Sequence, residues 1–333
     1  MTAYLVRRLA GTIPVFLLIT LLVFLLLHAA PGDPASLLLS DATSAADVAE
    51  ARQRWGLDQP VHIQYLKFFT AAVTGNLGKS FRFAQPVVEL IAARLPATIE
   101  LATFSILIAV TLAVPLGVWA GAKPNSWVDN LGTSFGLFGI SMPNFWLGIM
   151  LILLLAGYFH ILPSAGRSTY GLAGSQESGF YLLESMLRGN WPTVKDAFLH
   201  MAMPAFALGA NMIGILMRVT RSSVLEVMHE EYVVTARAKG MAEQRVLWRH
   251  VLSNALIPII TVAGLELGTL LSGSIIVETV FAWPGMGSLL ITGVTSRDYP
   301  LVMGLVMMYT LAFVTINLVI DALYGFIDPR IRY

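Results

Sequence analysis

Five stretches of this chain, residues 9–28, 101–121, 134–159, 201–217 and 301–320, each run for about twenty residues without one Asp, Glu, Lys or Arg. A helix needs about 20 apolar residues to cross ~30 Å of hydrocarbon, and lipid offers no partner to an unpaired backbone group, so such stretches cross as helices. A sixth stretch, residues 255–281, is apolar apart from Glu266 and Glu278, and an acid inside a span faces protein or water rather than lipid. The expected fold class is an all-α integral membrane protein with about six transmembrane helices. Composition agrees, since 56% of the 333 residues are apolar and 12% charged, against roughly 25% charged in a soluble domain. The first stretch has Arg7 and Arg8 before it and Ala29 and Ala30 after it, as a cleaved signal does. Its apolar run exceeds the about 7 to 15 residues of a signal core, and it is expected to remain as a membrane anchor.

Lys and Arg resist translocation and so mark the cytoplasmic side. With the N-terminus inside, the cytoplasmic segments hold Arg7, Arg8, Lys123, Arg218, Arg221, Arg237, Lys239, Arg245, Arg249, Arg330 and Arg332, which is 11 of the 21 basic residues. Both termini are then cytoplasmic. The external side receives residues 30–100, residues 160–200 and a short loop around Arg297. The organisation expected is a first span in residues 1–30, a folded external region in 31–97, a five-helix core in 98–325 and a cytoplasmic tail in 326–333. Pro31, Gly32, Asp33 and Pro34 open the external region as a turn, and residues 45–55 read as a short helix stopped by Gly56. Pro115, Pro143 and Pro204 are expected to kink their helices.

Several chemistries find no support. A net charge of +1 gives no field that would draw nucleic acid, and the absence of cysteine excludes disulfides and thiolate sites. His28, His62, His160, His200, His229 and His250 show no i, i+4 pairing of the kind a metal site uses. Gly78-Lys79-Ser80 has the form of a P-loop ending, but Val73 stands where the first glycine is required, so Gly75 and Gly78 are expected in turns. Ser272, Gly273 and Ser274 would suit an intramembrane serine protease only with a base at similar depth, and no histidine lies deep in a span. No catalytic, cofactor or metal site is expected in this chain.

The longest cytoplasmic segment, residues 218–254, is where a soluble partner would dock. Val224, Met228, Tyr232 and Ala236 fall at steps of four and predict one face of an amphipathic helix, with Glu226, Glu230 and Glu231 elsewhere on it. Small side chains follow, and Gly240 is expected to take the left-handed conformation that ends a helix. A basic loop also fits the plainer reading of cations held near anionic headgroups.

The run Glu231-Tyr232-Val233-Val234-Thr235-Ala236-Arg237-Ala238-Lys239-Gly240 resembles the coupling-loop signature of the inner-membrane permeases of dipeptide and oligopeptide ABC importers, relatives of the nickel and glutathione importers. The resemblance extends over essentially the whole chain. It includes Pro31-Gly32-Asp33-Pro34, Gly75-Asn76-Leu77-Gly78-Lys79-Ser80, Arg94-Leu95-Pro96-Ala97-Thr98-Ile99-Glu100-Leu101-Ala102, Glu278-Thr279-Val280-Phe281-Ala282-Trp283-Pro284-Gly285-Met286-Gly287 and Asp328-Pro329-Arg330-Ile331-Arg332. The general importer signature (E-A-A, three residues, G, nine residues, I-x-L-P), anchored on Gly240, is met only at Ala236, Gly240 and Leu252. The peptide branch resembles this chain in carrying Thr-Ala-Arg-Ala-Lys-Gly there.

The resemblance implies a type I ABC importer permease fold in the bacterial inner membrane, pairing with a second, similar permease. It also implies two ATPase subunits that bind the ATP and Mg, an external solute-binding protein, and a peptide as substrate. Tyr232, Thr235, Ala236, Arg237, Ala238, Lys239 and Gly240 would then contact an ATPase, with Gly240 ending the coupling helix. Glu266, Glu278, Asn144 and Asn211 are the candidates for the translocation pathway, Glu278 nearer an external gate or turn. A stand-alone secondary transporter or channel is the competing class, and it would place several ionisable groups at the midplane, where this chain offers Glu266. Nickel chelate, glutathione or heme are the other substrates open to this family.

Overall fold

The computed structural model describes residues 2–29, 50, 52–53, 56–169 and 178–327. The Pro31–Pro34 turn, most of the helix expected at 45–55, and Arg330 and Arg332 lie outside the described residues, as does the side chain of Ser272. The elements are α1 (Thr2–Ala29), α2 (Val61–Val73), α3 (Val87–Ala122), α4 (Trp127–Ser141), α5 (Asn144–Leu151) with a π-helical continuation (Ile152–Tyr158), and α6 (Tyr181–Leu187). They continue with α7 (Trp191–Val227), α8 (Glu231–Ala238), α9 (Glu243–Arg245) with a π-helical run (Val246–Val251), α10 (Leu252–Val280), α11 (Met286–Thr295) and α12 (Tyr299–Ile327).

Among the described residues five helices are long and apolar enough to cross a membrane: Gly11–Ala29, Val87–Ala122, Trp191–Val227, Glu243–Gly268 and Tyr299–Ile320. The expected third span, residues 134–159, is not one rod. It breaks between α4 and α5, which meet at 107°. Pro143 has no N–H to give, and the residue before a proline is pushed out of the helical region. Met142 obeys, with φ −93° and ψ 129°, and Pro143 then leads into α5. Pro115 and Pro204, by contrast, sit within unbroken helices.

The chain forms two compact units, one of residues 1–97 with 284–315 and one of residues 98–283 with 316–333. In the first, the start of α3, α11 and the start of α12 enclose a core of Val87, Ile91, Met286, Leu289, Leu301 and Leu305. Asp298, fully buried, accepts the hydroxyl of Ser80, the amide of Arg82 at 3.0 Å and the amide of Leu301 at 3.2 Å. It thereby caps the first turn of α12 and pins the turn that contains the pseudo-P-loop, where Gly75 and Gly78 have φ near +80°. Tyr65 of α2 meets Thr20 of α1 at 3.0 Å, and Gln64 meets His28 at 3.1 Å.

In the second unit α7 is the hub, touching α4, α5, α6 and α10. Its most apolar window is 72% buried, which explains how the shortest charge-free stretch marks the most enclosed span: its neighbours are protein rather than lipid. Small residues permit the approach. A Cβ on Gly214 of α7 would stand 2.4 Å from the carbonyl oxygen of Gly136, and one on Gly139 2.8 Å from that of Ala210.

Candidate functional site

The segment after α7 is built as a compact knob. α7 ends at Val227, residues 228–230 turn, and α8 begins afresh at Glu231. One helical face through Val224, Met228, Tyr232 and Ala236 is therefore not what forms. Val233 and Ala236 are the buried residues of α8, which packs on the π-helical run where Val246 and Val251 are also buried. Tyr232 is turned outward, 41% exposed, beside Val234 at 57% and Trp248 at 43%. Thr235, Ala238, Lys239 and Gly240 are exposed with them.

Gly240 takes φ +74°, as expected of a left-handed helix stop. Its amide donates to Arg237 at 2.9 Å and that of Met241 to Ala236 at 3.3 Å, the paired bonds of a Schellman closure. Arg237 is occupied within the loop: it donates to both carboxylate oxygens of Glu243, at 2.7 and 3.2 Å, and to the sulfur of Met228 at 3.2 Å. That fork raises the guanidinium above its already high ordinary value, so it stays charged. Of the two cations expected to meet a partner, Lys239 is the one presented outward. Burial, and secondarily the Glu230 carboxylate, push the Tyr232 phenol up, so it stays a neutral hydroxyl.

The pathway candidates are dispersed over α5, α7 and α10. Glu266 is half-buried midway along α10, and Asn144 half-buried at the start of α5. Asn211 is half-buried on α7, with its Oδ1 enclosed and lacking a hydrogen-bond partner. Glu278 is fully buried and accepts the Thr98 hydroxyl at 2.8 Å. That bond ties α10 to α3. Among the described residues no three His, Asp or Glu are grouped to hold a metal ion.

Two ion pairs escaped sequence reasoning. Glu100 of α3 and Arg167 meet at 2.7 Å, with both side chains at least nine-tenths buried. The other oxygen of Glu100 accepts the amides of Leu182 and Leu183, and Arg167 lies 4.2 Å from the Tyr181 ring and 5.7 Å from that of Trp283. Gly166 donates to Phe281 at 2.8 Å, so this short segment is stitched to the body of α3, the start of α6 and the end of α10. The second pair joins Asp129 of α4 to Arg221 of α7 through two bonds, one of 2.8 Å. The signal available was a charge beside an apolar run; the partners, 67 and 92 residues away, were not visible.

Several helices of membrane-crossing length, with the compact α8 knob following α7, define a multi-pass membrane protein. The fold is that of an importer permease: it matches a chain of the inward-facing MetNI methionine ABC transporter with TM-score 0.54 at 16% identity, covering 72% of this chain and 97% of that one. The sequence carries the family further. Residues 113–333 match the binding-protein-dependent transport system inner membrane component, and residues 1–102 its N-terminal counterpart. The chain belongs to this family and is a permease subunit of an ATP-driven importer.

Among its relatives, the probable D,D-dipeptide transport system permease of Escherichia coli K12 is 42% identical over 98% of this chain and 96% of its own. The dipeptide transport system permease of Alkalihalophilus pseudofirmus is 38% identical with both chains fully covered. The glutathione transport system permease of Salmonella paratyphi A is 39% identical over the same extent. Membership implies ATPase and binding-protein partners and a multi-pass place in the inner membrane.

Proposed function

We propose that this chain forms half of the translocation channel of an importer for di- or oligopeptides, paired with a second permease and driven by two ATPase subunits that hold the ATP and Mg. What carries the reading is full-length likeness to dipeptide permeases together with a knob whose outer face is exposed and whose stop at Gly240 is built by two hydrogen bonds. Both termini and α8 lie in the cytoplasm, as the Lys and Arg distribution favours. Tyr232, Val234, Thr235, Ala238 and Lys239 enter a cleft of the ATPase, while Ala236 and Arg237 hold the knob together. ATP-driven closure of the ATPases moves α8, and α7 passes that displacement into the bundle, because a state change needs an input that favours one state over the other. Glu266 and Asn211 face the path of the peptide, and a solute-binding protein delivers it from outside.

The full chain, tagged and extracted in mild detergent, should bring down a second permease and ATPases. In liposomes the assembly should move a dipeptide with ATP and binding protein present. Uptake of glutathione but not dipeptides would reassign the substrate, and a chain that purifies alone and moves solute without ATP would overturn the reading.

A further inference from the structure

Between α4 and α7, at the end nearest α8, lies a cleft of about 600 Å³ lined by Asn125, Asp129, Asn130, Thr133, Arg218 and Arg221. That volume falls within the about 300–1,000 Å³ of small-ligand sites. Arg221 uses Nε and Nη2 on Asp129, which leaves its Nη1 without a protein partner. Arg218 is exposed and forms no ion pair among the described residues. Two guanidiniums against one carboxylate leave the cleft net positive, with the amides of Asn125 and Asn130 alongside. Guanidinium forks match phosphate oxygens better than any other side chain.

The surface beside the cleft supplies the second half of the site. Trp127, Leu131, Phe135 and Phe138 are 73, 60, 50 and 47% exposed, and their spacing sets them in one stripe down α4. Trp127 stands at the cleft end, the depth at which tryptophans mark the membrane interface. A helix face meant for another helix is rich in small residues, but the glycines of α4, Gly132, Gly136 and Gly139, are already against Met217, Gly214 and Ala210 of α7. The outward stripe is large and apolar, which suits acyl chains.

We propose that this cleft binds the phosphate headgroup of an anionic phospholipid from the leaflet on the α8 side, with its acyl chains along the Trp127–Phe138 stripe. The site clasps the helix that leads to α8, so occupancy holds α4 and α7 together beside the Asp129–Arg221 pair.

Native mass spectrometry of the purified full chain tests this, with phosphatidylglycerol, phosphatidylcholine or inorganic phosphate titrated in. One phosphatidylglycerol should be retained in preference to phosphatidylcholine. Arg218→Gln should weaken that binding about fivefold, the contribution of one basic side chain near an anionic surface, while Arg218→Lys should recover most of it. A photo-crosslinking residue in place of Leu131 should capture phospholipid in cells. Equal binding by wild type and Arg218→Gln, or a Lys variant no better than Gln, would overturn the proposal. So would displacement by equimolar inorganic phosphate, which would mark a soluble-anion site, or crosslinking to a protein subunit, which would mark an interface.

Discussion

Gly240→Val isolates the role of the helix stop, because a side chain there has nothing to collide with. Its Cβ would meet no atom within 4 Å, so the cost is confined to the backbone, held at φ +74°. The left-handed region costs an L-residue roughly 1–2 kcal/mol, and a β-branched residue stands at the unfavourable end. A loss of about 2 kcal/mol lowers the ratio of closed to open knob some 30-fold. Asparagine tolerates the same region. The expected order in peptide-stimulated ATPase activity of the assembled importer, at matched membrane levels, is Gly ≈ Asn, then Ala, then Val. Insertion and expression should be unchanged, since residue 240 is exposed and outside the spans. The reasoning is refuted if Val couples as well as Gly. If Asn fails as badly as Val, bulk at the docking face rather than backbone conformation sets the outcome.

Arg167→Met leaves the buried Glu100 without its cation and should cost about 3–5 kcal/mol, whereas Arg167→Met with Glu100→Gln should recover much of it; thermal melting in detergent measures both. Arg237→Lys cannot reproduce the two-pronged bond to Glu243, so amide exchange at residues 240–246 should rise, and Lys239→Ala should leave it unchanged. Lys239→Ala should instead weaken ATPase binding by about two- to threefold, an effect that fades in high salt as exposed pairs do. Gly214→Val drives a side chain into the carbonyl of Gly136 and should abolish the folded permease, while Gly11→Val, where a Cβ has open space, should not; yield of monodisperse protein distinguishes them.

What the sequence disclosed follows from how far each signal reaches. Spans are one-dimensional, so charge-free runs located α1, α3, α7 and α12 well, and a run interrupted only by Glu266 and Glu278 located α10, although the helices begin earlier than the apolar runs. α3 starts at Val87 and α7 at Trp191, because a helix does not stop where lipid does. The break at Met142–Pro143 was also local, and a kink was expected. Its depth of 107° was set by tertiary packing, which the proline permits but does not dictate. The α8 segment was legible at Gly240 and not at its inner face, since steps of four assume an unbroken helix and residues 228–230 interrupt it. Thr98 and Glu100 stood inside a motif recognised as a string. Their work on Glu278 and Arg167 depends on partners brought close only by the fold.

The Asp129–Arg221 pair also bears on how the chain is made. Asp129 emerges from the ribosome 92 residues before its counter-ion, which at ~5–20 residues per second is roughly 5–20 s. During that interval α4 has neither its cation nor the Gly214 surface that receives Gly136, and a lone carboxylate is costly in hydrocarbon. Trp127, two residues before it, is of the type that favours the membrane interface, and there water can serve the carboxylate until α7 is synthesised. The glycine seam is thus a late event in biogenesis, and α4 must wait, inserted but unpacked, for the helix that completes it.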